Sequence, residues 1–277
     1  MKKLSSIIML SLSMLALASC SMFKLDNFDG PNAQVTGQLI DKATGERMGI
    51  EATYSSQWSW ATWSMVTVKD GLMTVIEQGW KDKDGNDVSE EQDWYVRFDG
   101  KYTNNLVFAA PYKVNFRNMP CYQLDNPDFT LAKGANTVDF QVTPFCRIKN
   151  ESISYANGKI TATFSVELGD ATKANKISNV AFCGNTQLWV GCNFFNLVKG
   201  PAAKKANVTP GDVVTLEIDT TDPLNGAMFE YEQDRYVRIA AEADGNGFNG
   251  NRYYNFSKIY KISADYSKIE AVDWDTL

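Results

Sequence analysis

Beyond residue 30, apolar and polar positions alternate in short runs separated by turn residues. Val35-Thr36-Gly37-Gln38-Leu39-Ile40-Asp41 is the first such run, and it breaks at Lys42-Ala43-Thr44-Gly45-Glu46. Period-2 alternation places every second side chain on one face, which is the signature of a half-buried strand. The pattern predicts further strands at 66–68, 73–76, 94–98, 112–116 and 138–142, with turns at Lys69-Asp70-Gly71 and Asp84-Gly85-Asn86. Thr143-Pro144-Phe145 interrupts the pattern, which restarts at Arg147 and predicts strands at 159–167, 177–182, 187–190, 213–218, 236–241 and 258–262. Asn157-Gly158 reads as the turn into the first of these, and 196–208, with Gly200-Pro201, as a loop. No stretch between 31 and 145 sustains an apolar repeat of about 3.6 residues long enough for a core helix. The expectation is an all-β protein of two tandem β-sandwiches, residues 31–145 and 146–277, the second immunoglobulin-like or fibronectin-like.

The N-terminus follows another logic. Lys2 and Lys3 precede an apolar stretch from Ile7 to Ala18 that is too short to span a bilayer. A basic start, an apolar core of about 7–15 residues and small residues at its end describe a signal peptide, residues 1–19. Leu17-Ala18-Ser19-Cys20 resembles the bacterial lipobox, which implies cleavage before Cys20 and acylation of its sulfur. Several buried acyl chains hold a protein at a membrane where one chain holds it only marginally. The alternative is ordinary secretion with a stray cysteine. Residues 20–30 then form a short tether.

Composition narrows the chemistry. The 277 residues carry 27 Lys and Arg against 33 Asp and Glu, a net charge of −6, which does not suit a nucleic-acid partner. The absence of histidine removes Ser–His and Cys–His nucleophiles and His-ligated metals. A glycosidase carboxylate pair is the enzyme chemistry that survives, and it needs a cleft that small sandwiches seldom provide. The expectation is no catalysis, no cofactor and no metal. Asp82-Lys83-Asp84-Gly85-Asn86-Asp87 misplaces its glycine for a calcium loop and reads as a solvated hairpin tip. Four cysteines remain after Cys20, namely Cys121, Cys146, Cys183 and Cys192. Two local disulfides, Cys121 with Cys146 and Cys183 with Cys192, and four buried free thiols are equally consistent with their spacing.

The stretch 35–46 (VTGQLIDKATGE) resembles the opening of carboxypeptidase-regulatory-like, prealbumin-related sandwich modules. Its turn chemistry is physical: Asp41 and Thr44 bond nearby backbone, and Gly45 supplies a positive φ. Together with Gly79-Trp80, Trp94-Tyr95-Val96, Asp99-Gly100, 138–145 and 252–258, the chain resembles an uncharacterised Bacteroidetes family of two-domain outer-membrane lipoproteins. Members are encoded beside the porin and the glycan-binding lipoprotein of starch-utilisation-type uptake systems. The resemblance implies a lipid-anchored accessory protein at the outer membrane, on either face, with glycans, the porin and its glycan-binding lipoprotein as partners. It supplies no catalytic residues.

Trp58-Ser59-Trp60-Ala61-Thr62-Trp63 holds three of the seven tryptophans. Sugar rings dock their C–H faces on aromatic planes, so Trp58, Trp60 and Trp63, with Trp80 nearby, are candidate glycan contacts. Core packing is the competing reading, because one face of a strand must point inward. A structural lipoprotein that spaces or docks a partner is the competing function. The anchor gives the first prediction: Cys20→Ala abolishes acylation and releases the protein from membranes, as measured by fractionation with a lipid label. Unchanged labelling and retention would refute it.

Overall fold

In a computed structural model of the chain, residues 30–276 are described, except 52, 60–63, 71, 117–118, 175, 194, 244–246 and 249–250. Of residues 53–59, 64–70, 72, 247–248 and 251–252, the backbone alone is described. The fold is all-β. The first half contributes β1 (Ala33–Asp41), β2 (Thr53–Ser59), β3 (Ser64–Asp70), β4 (Leu72–Glu77), β5 (Trp80–Lys81) and β6 (Asp87–Val88). It continues with β7 (Glu91–Tyr95), β8 (Lys101–Val107), β9 (Pro111–Asn115), β10 (Asp128–Thr130), β11 (Gly134–Thr137) and β12 (Phe140–Val142). The second half contributes β13 (Cys146–Ala156), β14 (Lys159–Leu168), β15 (Ile177–Asn185), β16 (Lys204–Val208), β17 (Val213–Asp219) and β18 (Arg235–Ala243). Short strands follow: β19 (Gly247–Phe248), β20 (Asn251–Arg252), β21 (Asn255–Phe256), β22 (Tyr260–Ile262) and β23 (Ile269–Ala271).

Every strand pairing among the described residues stays within one half. In the first sandwich, β1 is central to one sheet, parallel to β11 and β12 and antiparallel to β8. The facing sheet runs β10-β9-β4-β7. Val35, Leu39, Tyr102 and Phe140 from one sheet meet Met73, Val75, Trp94, Tyr112 and Val114 from the other in one core. Gly37 interrupts the alternation of β1 for a steric reason. A Cβ there would lie 2.7 Å from the Tyr102 ring and 1.8 Å from the Val138 carbonyl oxygen. Tyr102 lies across that gap and donates to the Val138 carbonyl at 2.5 Å. Trp94 is a core residue, ringed by Tyr102, Tyr112 and Phe129 at centroid distances of 6.0–6.1 Å.

The second sandwich packs β13-β14-β17 against β16-β15-β18-β22-β23. Ile160, Ala162, Phe164 and Val166 project from β14, every second residue as the alternation requires, onto Phe182, Val237 and Ile239. β18 breaks the two-faced rule, because nearly all of its nine residues are buried. Its Val237, Ile239 and Ala241 face that core, whereas Arg238 and Ala240 lie on the opposite side. There the first sandwich and the segment 186–197 cover them, so the two sandwiches meet across β18.

Three local expectations change. The strand expected at 94–98 is β7, ending at Tyr95, because Arg97-Phe98-Asp99-Gly100 makes a turn closed by Gly100 N–H to Arg97 O at 2.8 Å. The 187–190 run alternates like a strand but pairs with no strand among the described residues; Gln187 N–H goes to Asn185 Oδ1, and Val190 N–H goes to the Leu188 carbonyl at 2.8 Å. The polar 204–208 run, read as loop, is edge strand β16, paired to β15 alone and bearing exposed Lys204 and Lys205. Exposed lysines on an edge strand discourage further pairing.

The expected turn after β1 forms as its chemistry dictates. Asp41 Oδ1 accepts from Ala43 N–H at 3.0 Å, Thr44 Oγ1 accepts from Glu46 N–H at 3.2 Å, and Gly45 has φ +72°. Asp41 also grips Arg147 at the start of the second half, through Nε at 2.5 Å and Nη2 at 2.8 Å. Burial alone would raise the Asp41 pKa, but the Arg147 hydrogen bond and charge and the Ala43 amide together hold it below the usual carboxylate value. A carboxylate with a depressed folded pKa stabilises above its unfolded pKa and loses that contribution as pH falls through the folded one. Asp41→Asn therefore destabilises at neutral pH by about 2 kcal/mol, below the ~3–5 of a fully enclosed pair because Arg147 keeps an edge in water. The difference from wild type should shrink as pH falls through the depressed folded pKa of Asp41, where wild type loses the pair as well. Urea unfolding across that range checks both statements.

Candidate functional site

The segment 186–197 leaves β15 and forms a loop whose backbone groups are met one by one. Asn185 Oδ1 accepts from Gln187 N–H at 3.1 Å, and Asn185 Nδ2 donates to the Phe195 carbonyl at 2.6 Å. Asn196 Oδ1 accepts from Gly184 N–H and Val198 N–H, both at 3.1 Å. Asparagine side chains suit this work because they mimic a backbone turn over two residues. Val190 inserts into the apolar cluster on the outer face of β15 and β18, with Cys183, Ala240 and Tyr254. Its neighbour Trp189 stays 53% exposed, edge-on to the buried Phe98 of the first sandwich at 5.2 Å. Phe195, with φ +53°, is exposed on the same loop.

Glu51 binds this loop to the first sandwich. Its carboxylate accepts from Cys192 N–H at 2.7 Å and from Asn193 N–H and Nδ2 at 3.2 Å each. Charge-assisted bonds of this kind are about twice as strong as neutral ones. Beside Glu51, the fully buried Arg238 donates through both Nη atoms to the Ile50 carbonyl at 3.3 Å. Its guanidinium also lies 3.6 Å from the centre of the Phe256 ring. Burial pulls the Arg238 pKa down to about 10, and the Glu51 charge opposes that most strongly. Arg238 thus keeps its charge at neutral pH.

Trp58 lies in β2, opposite Met65 of β3, and its side chain lies outside the described residues, as do Trp60, Trp63 and Cys20. Trp80 is 45% exposed in the β5–β6 hairpin, which follows the far end of β4. The β2–β3 hairpin enters at the near end, five residues away, about 17 Å along a strand. Trp189 is on the near side: Glu51 precedes β2 by two residues and holds the Trp189 loop. The sequence reading missed Trp189 because its flanking residues alternate like a strand. The asparagines at 185, 193 and 196 around it were the available signal for a braced loop.

Asp82 spends its carboxylate within the hairpin tip, accepting from Asp84 N–H at 2.8 Å, Asn86 N–H at 2.9 Å and Asn86 Nδ2 at 3.0 Å. No group of three or more potential metal ligands occurs among the described residues. All four described cysteines are free thiols, so neither Cys121–Cys146 nor Cys183–Cys192 is bonded. A cleft of about 470 Å³ lies between the halves, lined by Glu46, Arg47, Glu151, Lys258 and Trp274.

No family model matches the chain, and no curated protein matches it. Solved structures do. A "putative carbohydrate binding protein" from Bacteroides uniformis superposes with a TM-score of 0.68 at 29% identity, over 84% of this chain and 100% of that one. DUF3823 family proteins from Parabacteroides merdae (TM-score 0.61, 19% identity, 84% and 99% covered) and Bacteroides ovatus (0.57, 20%, 84% and 100%) also superpose. The chain has the fold of these Bacteroides and Parabacteroides proteins.

The junction charges yield a prediction. Glu51→Gln and Arg238→Met should each destabilise by about 3 kcal/mol, because each removes one of two buried opposite charges, of which the Glu51 charge offsets the burial of Arg238. The double variant should recover about 1–3 kcal/mol of the sum. Denaturant unfolding of the four proteins checks this; strict additivity would mean that the two charges do not interact.

Proposed function

We propose that the protein is a non-catalytic glycan-binding accessory of the bacterial cell envelope, and that Trp189 is its aromatic platform. The observation that carries this reading is the exposed indole on a loop braced by Glu51, Asn185 and Asn196, in a fold shared over 84% of this chain with the Bacteroides uniformis protein described as a "putative carbohydrate binding protein". A flat indole face held before the ligand arrives loses little freedom on binding, so its C–H contacts with a sugar ring translate into affinity. Gln187 is exposed beside it and offers an amide donor and acceptor for hydroxyl groups. Trp58, Trp60, Trp63 and Trp80 remain further candidate glycan contacts in this proposal.

The envelope part of the proposal rests on Leu17-Ala18-Ser19-Cys20, with Cys20 as the acylated tether to the outer membrane. No helix among the described residues is long and apolar enough to cross a bilayer. The porin and glycan-binding lipoprotein of an uptake system are the proposed neighbours. The rival reading is a structural lipoprotein that spaces or docks a partner protein, for which an exposed indole would serve as a protein contact instead.

An affinity-gel and glycan-array screen of wild type, Trp189→Ala and Trp80→Ala tests the reading. Trp189→Ala should keep its melting temperature and weaken glycan retention by about 2 kcal/mol or more, as for an aromatic hot spot. Weaker retention by Trp80→Ala would add Trp80 to the site. Full retention by Trp189→Ala would move the site elsewhere, and no binding by wild type would favour the spacer.

A further inference from the structure

Cys183 and Cys192 flank the Trp189 loop at its base. Cys183, in β15, is fully buried in the outer-face cluster with Ala181, Val190, Ala240 and Tyr254. Cys192, at the far end of the loop, is half-buried and packs against that cluster. Cys192 packs against the same small cluster that encloses Cys183, so the two cysteines meet there with eight residues between them in sequence. The other two cysteines are arranged differently. Cys146 donates to the Ala241 carbonyl at 3.4 Å and approaches Asn255 Oδ1 at 3.6 Å, and Cys121 is buried in the first core.

We propose that Cys183 and Cys192 are a redox-active pair, which a protein or small-molecule disulfide donor converts to an intramolecular disulfide that ties the Trp189 loop to β15. Cys192 is the accessible sulfur and attacks first. Its thiolate displaces one donor sulfur, leaving a mixed disulfide on Cys192 and releasing one donor thiol. Cys183 then loses its proton and attacks the Cys192 sulfur, which breaks the mixed disulfide and expels the second donor thiol. Two cysteine sulfurs are oxidised, one donor disulfide is reduced, and the two protons leave on the donor thiols.

The surroundings fit that order. Burial pushes the Cys183 thiol well above its ordinary pKa, which suits a resolving rather than an attacking sulfur; the Glu51 charge adds to that, and the Arg238 charge opposes both. In the reduced protein, Glu51 and the contact with Phe98 hold the loop against the first sandwich. The disulfide adds a covalent tie to the second sandwich, and the loop then spans the junction with both ends secured. This inference stands whether or not the loop meets a glycan.

The test uses the full chain, incubated with oxidised glutathione, then denatured, alkylated without reduction, digested with trypsin and weighed. Both sulfurs fall in one tryptic peptide, residues 177–199, while Cys121 and Cys146 fall in 118–133 and 134–147. The expected result is that 177–199 takes up no alkyl group until it is reduced, and two afterwards, while the other two peptides are alkylated at once. Double alkylation of 177–199 before reduction, or a link from either of its cysteines to Cys121 or Cys146, overturns the proposal. Cys183→Ser should trap glutathione on Cys192, and the folded Cys192→Ser protein should take up none. Glutathione on Cys183 in that second variant would overturn the assigned order of attack.

Discussion

A guanidinium group enclosed between two β-sheets must be met by acceptors and opposite charge, because an unpaired buried ion costs several kcal/mol. Arg238 is that group, and the arrangement around it organises the molecule. The Ile50 carbonyl takes both Nη donors, the Phe256 ring takes the flat face, and the Glu51 charge offsets the burial. Two of these three partners come from the first sandwich, so Arg238 meets them only when the sandwiches are packed in one relative position, and even then its Nε–H is left without an acceptor. A buried ion pair of this kind selects an arrangement more than it strengthens one. Glu51 then passes the constraint outward, since its carboxylate also holds the amides of Cys192 and Asn193. One charge pair thus couples the junction, the loop bearing Trp189 and the root of the β2–β3 hairpin.

Other contacts repeat the constraint along the same junction. Asn255, buried in the second half, donates to the Pro120 carbonyl at 2.8 Å and accepts from Cys146 N–H at 3.0 Å. The turn Trp274–Thr276 folds back onto the first sandwich, where Asp275 pairs with Arg47 at 2.7 Å. The Trp274 ring lies so close to Gly49 that a Cβ there would sit 2.4 Å from its edge. With Asp41 and Arg147 these contacts pin the junction at several separate places. A rigid junction gives Trp189 and Phe98, from different halves, a fixed geometry, which an aromatic recognition surface requires.

Much of the fold was legible in the residues. The alternation of β14 and the turn from Asp41 to Gly45 are local phenomena: the first needs one buried face, the second needs short polar side chains within reach of their own backbone. What was not legible depends on partners remote in sequence. Gln187-Leu188-Trp189-Val190 has a strand's alternation, and the missing neighbour that makes it a loop is visible only in three dimensions. Lys204-Lys205-Ala206-Asn207-Val208 has a loop's polarity, and the edge of β15 makes it a strand. The tryptophan-rich run drew attention by composition, whereas Trp189 is isolated in sequence and gains its setting from Glu51 and Phe98, both about a hundred residues or more away.

By itself, the sequence determined the all-β class, the restart of the strand pattern after Pro144, the chemistry of the turns and the absence of histidine-based catalysis. Each of these follows from residue identity and short-range periodicity, which tertiary contacts do not alter. Tertiary structure decided that β18 is buried on both faces, that β1 pairs in parallel with β11 and β12, and that Arg238, Glu51, Cys183 and Cys192 share one place. The reason is physical: whether a buried charge, a buried thiol or an exposed indole has a partner depends on packing across the junction. That packing joins side chains from opposite ends of the chain, and no local pattern encodes which of them will meet.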